Sequence, residues 1–294
     1  MISIVVCSRN GKQFRTFTES VAATIGVEHE VVQIDNSNNK YNICQAYNEG
    51  VRLSKYEIIC FSHEDIVFHT QDWGKVLIRV LNDHQIGLVG VFGICFFTLY
   101  PAVLLDPNEF EGQVIIGTGE GYSTNHHNRF SPSPIAEVAG VDGLFMTTRR
   151  SVMKQYSFPE NELKGFHGYD MDINMQIRQQ YKIVVTHDIL MYHESGGNFN
   201  ESYFETLNLL AKKWKSRCPV YVPGYSAKEL EKLNLKVLEV YYNGTLRKNP
   251  SLSNYMVAFR YASKQRVLLP WLRSMLSKKN SRKTSKSNLL AEAK

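Results

Sequence analysis

The sequence predicts an α/β protein: a mixed, mainly parallel sheet flanked by helices, with a helical extension on the C-terminal side. Three observations lead there. Short β-branched runs alternate with amphipathic helical patterns through the first 68 residues, a βαβαβ order that dictates a parallel sheet with right-handed crossovers. Two of those runs end in polar turns that begin at Asp35 and at His63-Glu64-Asp65, on the one sheet edge where α/β proteins gather their chemistry. From Asn200 onward the pattern becomes helical, with aromatic and basic residues mixed.

Taken in order, Ile2 to Cys7 is a strand, closed by the turn Ser8-Arg9-Asn10-Gly11. Phe14, Phe17, Val21 and Ile25 mark a helix that Gly26 ends. Glu30 to Ile34 is the second strand and Ile43 to Leu53 the second helix. Tyr56 to Phe61 is a third strand, too short for a typical helix and apolar enough to be buried on both faces. A further apolar run, Ile66 to Phe68, follows the polar triplet. Asp65 reads equally as a site residue or as a turn cap.

Ile86 to Leu105 is twenty residues without a charge, long enough to cross a bilayer. Gly87, Gly90, Gly93 and Pro101 interrupt any helix, and Asp83 and Asp106 flank it with the wrong charges for an orientation signal. A buried strand over 87–92 followed by an apolar loop is the expectation. Gly112 to Pro134, rich in Gly, Ser, Asn and His, reads as a mobile surface excursion, with His126 and His127 as solvent-exposed bystanders. A strand returns around Val141-Asp142-Gly143. Arg149 to Tyr156 and Asp170 to Gln180 read as helices, and Ile183 to Met191 as a strand. Asp170 and Asp172 suit a helix N-terminus as caps, but being two apart they face different ways, so one is free for a cleft. Helices follow over 204–214 and 227–240, and another lies within 247–270. The domain boundaries expected are 1–200, 201–276 and a basic disordered tail, 277–294.

Bulk numbers exclude some functions. The composition, 43% hydrophobic and 21% charged over 294 residues, is that of a globular chain with a sizeable core. Net charge is +6, yet six basic residues against Glu292 give 277–294 a net +5, so the body lacks the spread basic face of a nucleic-acid binder. The five cysteines make no CxxC or zinc spacing and read as small core residues in a reducing compartment. The N-terminus has no basic n-region of a signal peptide, so the expected location is cytoplasmic. No GxGxxG or GxxxxGK[ST] follows the first strand, which removes the glycine-amide phosphate cradles and leaves a metal ion to offset phosphate charge. The aromatic and basic region past 247 reads either as a packing helix with a solvated face or as a surface lying against a membrane.

The ordered set of segments resembles the family 2-like glycosyltransferases of GT-A fold, particularly a bacterial branch with HxD in place of DxD. The resemblance covers Ser3 to Gly197 and rests on Ile4 to Asn10, Gln33 to Ser37, Ala46 to Gly50, Phe61 to Ile66, Val141 to Gly143, Phe166 to Arg178 and His193 to Gly197. It implies a donor-nucleotide set of Ser8, Asp35, Asn36, Asn48, Glu64 and Asp65. Asp65, His193 and His63 become metal ligands for Mn²⁺ or Mg²⁺, with Glu64 the middle, non-ligating position. Asp170 becomes the general base and Arg178 a basic residue nearby. Asp142, Gly143, His167 and Asp172 fall in the acceptor and sugar pocket. The function so implied is inverting, metal-dependent transfer from a nucleotide-sugar, UDP-linked, to a hydroxyl of a polysaccharide, glycolipid or glycoprotein precursor. The partners are that donor and acceptor, no nucleic acid, and peripheral contact with the cytoplasmic membrane face through the basic C-terminus. A sugar-nucleotide-binding protein without transfer activity and a metal-dependent nucleotidyltransferase are the alternative readings.

Overall fold

The computed structural model describes residues 1–118, 121–129, 133–194 and 201–275. The tail expected to be disordered lies outside them. The opening βαβαβ unit is present: β1 (Ile2–Ser8), α1 (Gly11–Thr24), β2 (His29–Asp35), α2 (Ile43–Leu53) and β3 (Ile58–Ser62), with β2 and β3 both parallel to β1. Local chemistry explains the helix starts. Asn10 caps α1 by accepting from the Lys12 and Gln13 amides, and Asn42 and Gln45 form a reciprocal capping box on α2. Gly50 lets α2 lie directly on β1, since a Cβ there would sit 2.0 Å from a Val5 methyl.

The chain continues through β4 (Ile66–Phe68), α3 (Trp73–Leu81), β5 (Ile86–Gly90), β6 (Phe92–Ile94), β7 (Phe96–Phe97), β8 (Phe110–Thr118), β9 (Gly121–His127), β10 (Ile135–Glu137), β11 (Gly140–Val141) and β12 (Phe145–Arg149). After these come α4 (Arg150–Met153), α5 (Tyr169–Ile177), β13 (Lys182–Thr186), β14 (Met191–His193), α6 (Glu201–Trp214) and β15 (Val220–Tyr221). Next come α7 (Ala227–Tyr241) and α8 (Leu252–Lys264), and residues 268–275 are helical as well.

The main sheet has the order β10-β13-β5-β12-β3-β1-β2. It is mixed: β12 runs antiparallel between β3 and β5, while β13 and β5 are parallel. A second sheet, β11-β6-β8-β14-β4 with β9 on β8, packs a shared core with it around Ile4, Cys60, Trp73, Phe145 and Met191.

Several expectations are corrected here. The polar stretch 112–134 is largely the β8–β9 hairpin, paired from Gly112–His127 to Thr118–Gly121; glycines at alternate positions hide the strand pattern while Val114 is buried. His127 packs its ring against Phe92 and Phe110 at 5.8 and 5.7 Å instead of standing as a bystander. The apolar loop after residue 92 contains β6 and β7. The strand expected over 183–191 is two strands in different sheets, β13 and β14. Helix α3 has no counterpart among the expected elements. Asp72 stands at its N-cap, but in the left-handed region and without a side-chain cap bond. None of the cysteines pairs. Among the described residues no helix is long and apolar enough to cross a membrane.

The chain divides into two compact units, Met1–Phe97 with Leu105–Val222, and Thr98–Leu104 with Pro223 onward. The first ends beyond α6, twenty-two residues later than the 1–200 domain read from sequence. In the second, Ser226 and Glu229 form a capping box on α7, and the buried Tyr261 hydroxyl of α8 donates to Asn234 of α7 at 2.6 Å.

Arg149 ties β12 to the turn between α3 and β5. Its guanidinium donates to the carbonyls of Leu81, Asp83, His84 and Ile86 at 2.8, 3.3, 3.2 and 2.7 Å, and the residue is buried. Arg149→Met removes every one of those donors while keeping apolar bulk. We expect it to lower unfolding free energy by about 3 kcal/mol, seen as a drop in urea midpoint without a change in m-value.

Candidate active site

The polar triplet after β3 sends its three side chains to different tasks. The His63 amide continues the β3–β12 ladder by donating to Leu144 O at 3.0 Å, which sets His63 beside the Asp142-Gly143 turn. Asp65 precedes β4, whose Ile66 pairs with His193 of β14, and the Glu194 amide donates to Asp65 O at 3.1 Å. Strand pairing therefore closes a gap of more than a hundred residues. Three atoms converge: His63 Nδ1 and His193 Nε2 at 3.3 Å, His193 Nε2 and Asp65 Oδ1 at 3.3 Å, and His63 Nδ1 and Asp65 Oδ1 at 4.0 Å.

These separations suit a shared cation. Ligands about 2.1 Å from one octahedral divalent ion stand about 3.0 Å apart when adjacent, and the three atoms need only close up slightly to meet that. Nitrogen and carboxylate oxygen together fit Mn²⁺. Hydrogen bonding prepares the donor set. The Tyr169 hydroxyl donates to Gly143 O at 3.1 Å, so its one proton is committed there. His63 Nε2, 2.8 Å from the same oxygen, is thereby assigned as the N–H donor, which leaves Nδ1 with the lone pair facing Asp65 and His193. Burial, with the charge of His193, holds His63 below the usual imidazole range, against the opposing pull of Asp65 and Asp142. Burial raises Asp65, but the hydrogen bond and charge of His193, with His63, bring it below the usual carboxylate range.

Glu64 points the other way. Its carboxylate accepts from Ser8 Oγ at 2.8 Å and from the Arg9 and Asn10 amides at 2.9 and 3.1 Å, fixing the turn between β1 and α1. Ser8 and Asp35 are register partners at the end of β1 and β2, and Asp35 is exposed at that edge. Hydrogen bonds from the Ser37 backbone and side chain lower its pKa.

A cavity of about 350 Å³ opens beside His63 and His193. Asp142, Gly143, His167 and Asp170 also line it, which brings together most of the expected pocket residues. Burial, then the nearby Asp142 carboxylate, pushes Asp170 up to about 7. Asp142 itself accepts from the Leu144 amide at 2.9 Å. The inner wall is apolar, formed by Phe92 and Ile94 of β6 and by Phe110, Val114 and Ile116 of β8.

Eight expected residues do not line this cavity: Ser8, Asp35, Glu64 and Asp65, placed above, and Asn36, Asn48, Asp172 and Arg178. Asn36 is fully buried and clamps the Tyr41 backbone from both amide atoms at 2.9 and 2.8 Å. Asn48 holds the Phe158 backbone and Glu160. Asp172 is fully buried on the other face of α5, where it accepts from Trp214 Nε1 at 2.8 Å, Lys213 Nζ at 2.9 Å and Gln176 Nε2 at 2.6 Å. Arg178 donates to Ala139 O, and burial lowers its pKa. Short polar side chains at strand and helix ends serve turns as readily as ligands, and the sequence does not separate the two. Tyr169 escaped the sequence reading; its only signal was an aromatic hydroxyl immediately before the expected base.

Fold and site together define the class. Residues 3–214 match the model of the glycosyltransferase-like family, and the chain belongs to it. It is a glycosyltransferase of GT-A fold. Among solved structures it is similar to GalNAc-T7 with UDP, GalNAc and Mn²⁺ (TM-score 0.50, 10% identity), covering 73% of this chain and 48%, about half, of that one. It also matches S. aureus TarS 1–349 (TM-score 0.48, 14% identity, 90% and 80% covered) and A197 from STIV (TM-score 0.39, 13% identity, 68% and 86% covered). A search of the curated proteins gives no match.

Gly143 is required for the close approach of Tyr169, because a Cβ there would lie 2.4 Å from the tyrosine hydroxyl. Nitrogen-15 NMR of the imidazoles should find His63 as the Nε2–H tautomer, and both Gly143→Ala and Tyr169→Phe should replace that signal with a tautomer mixture.

Proposed function

We propose that this glycosyltransferase is inverting and metal-dependent, moving a sugar from a UDP-sugar to a hydroxyl of a polysaccharide, glycolipid or glycoprotein precursor in the bacterial cytoplasm. One observation carries the reading: His63 Nδ1, Asp65 Oδ1 and His193 Nε2 converge, and both histidines line a cavity that Asp170 also lines. When bound by these three residues, Mn²⁺ or Mg²⁺ supplies positive charge against the departing nucleoside diphosphate.

The chain's own groups divide the remaining work. Asp35 presents an exposed carboxylate at the end of β2, where the nucleoside rests, and Glu64, bonded to the buried Ser8, keeps the neighbouring turn in place. Tyr169 holds His63 with its lone pair inward. Asp170, poised near neutrality, takes the proton from the acceptor hydroxyl as that oxygen attacks the anomeric carbon. A base with no intervening enzyme nucleophile inverts the anomeric centre in one displacement. The wall of Phe92, Phe110, Val114 and Ile116 suits the apolar face of a sugar ring and the lipid portion of a glycolipid acceptor.

Asp170→Asn is expected to lower kcat by about 100- to 10,000-fold in a UDP-release assay while UDP affinity by calorimetry stays unchanged. Undiminished release would remove Asp170 as the base. The sign of the pH dependence follows from its raised pKa: the basic form is needed, so activity should climb through about pH 7 and level above it. Asp142→Asn should move that midpoint downward, since the Asp142 charge is part of what raises it.

Chelation with EDTA should abolish release and added Mn²⁺ restore it. Asp65→Asn should weaken Mn²⁺ binding, followed by calorimetry, by at least about tenfold.

A further inference from the structure

The second unit carries a surface that the transfer chemistry leaves unused. In α8, Leu252, Tyr255, Met256 and Phe259 follow the i, i+3, i+4, i+7 spacing of a single helix face. They are 80%, 40%, 42% and 45% exposed. The helix already has a core face, built from Ala258, Tyr261 and Ala262, so the outward stripe is additional to it. Farther along, Leu269 and Leu272 are exposed as well.

Charge selects the partner. From Val240 to Ala291 the sequence has eleven Lys and Arg and neither Asp nor Glu. Arg260 on α8, and Arg247, Lys248, Arg266 and Arg273 on either side of it in sequence, are exposed. Two copies of such a surface repel each other, and a nucleic-acid backbone offers nothing to Leu252 or Phe259. An anionic bilayer offers both halves of the match: acyl chains for the stripe, and lipid phosphates for the guanidinium groups.

We infer that α8 is a membrane-surface helix, lying in the plane of an anionic lipid bilayer with Leu252, Tyr255, Met256 and Phe259 at the boundary between headgroups and acyl chains. The inference concerns the partner of the second unit and stands independently of the transfer chemistry.

Flotation of the full chain with vesicles tests it. Binding is expected to phosphatidylcholine vesicles containing phosphatidylglycerol, and not to phosphatidylcholine alone. Leu252→Ser with Phe259→Ser, and separately Arg260→Glu, should each reduce partitioning, the double variant by about tenfold or more. Both alter exposed positions, so the thermal unfolding midpoint should hold. Absence of binding to the anionic vesicles overturns the inference, as does undiminished binding of the double variant. A lipid-free dimer in velocity sedimentation that this variant abolishes would instead assign the stripe to a second copy of the chain.

Discussion

The pairing of β14 with β4 is the constraint on which the site depends. Neither strand exceeds three residues, yet their register sets His193 against Ile66 and so beside Asp65. The ladder between β3 and β12 does the same for His63 and the Gly143 turn. The two pairings belong to different sheets, and the triplet 63–65 spans the step between them. A one-residue slip in either ladder would turn the histidine to the opposite face and disperse the cluster.

Around that frame, environment gives like residues unlike roles. Asp170 and Asp172 stand two apart on α5. One faces the cavity near a second carboxylate and is pushed up to about 7; the other is sealed against Trp214 and Lys213, where indole and ammonium donors satisfy it. Glu64 lies in the turn between His63 and Asp65 and joins neither, because its carboxylate is held by the amides that follow β1. Tyr169, buried and hydrogen-bonded on both sides, links the start of α5 to the imidazole at the end of β3.

The first half of the fold was legible because its signals are local: β-branched runs, the apolar helical spacing of α1 and α2, and polar strand ends. The convergence of His63, Asp65 and His193 was legible only through family resemblance, since strand pairing across 130 residues leaves no mark on spacing. Asn36 and Asn48 show the limit. Each sits where a ligand is expected, but which way an amide faces is decided by the loops packed on it, here 41 and 158–160. The β8–β9 hairpin stayed hidden for a simpler reason: β9 carries no apolar alternation, and glycines interrupt that of Phe110, Val114 and Ile116 in β8.

Thr98–Leu104 belongs to the second unit, although the chain on either side of it belongs to the first. The polypeptide therefore passes between units after Phe97, after Leu104 and after Val222. Thr98, Leu99 and Leu104 are buried and the four residues between them half-buried, so the segment is packed and not a free connector. The C-terminal helices are woven into the catalytic unit's sequence instead of being appended to its end. A chain stopped at Val222 would keep an orphaned apolar segment in its interior sequence.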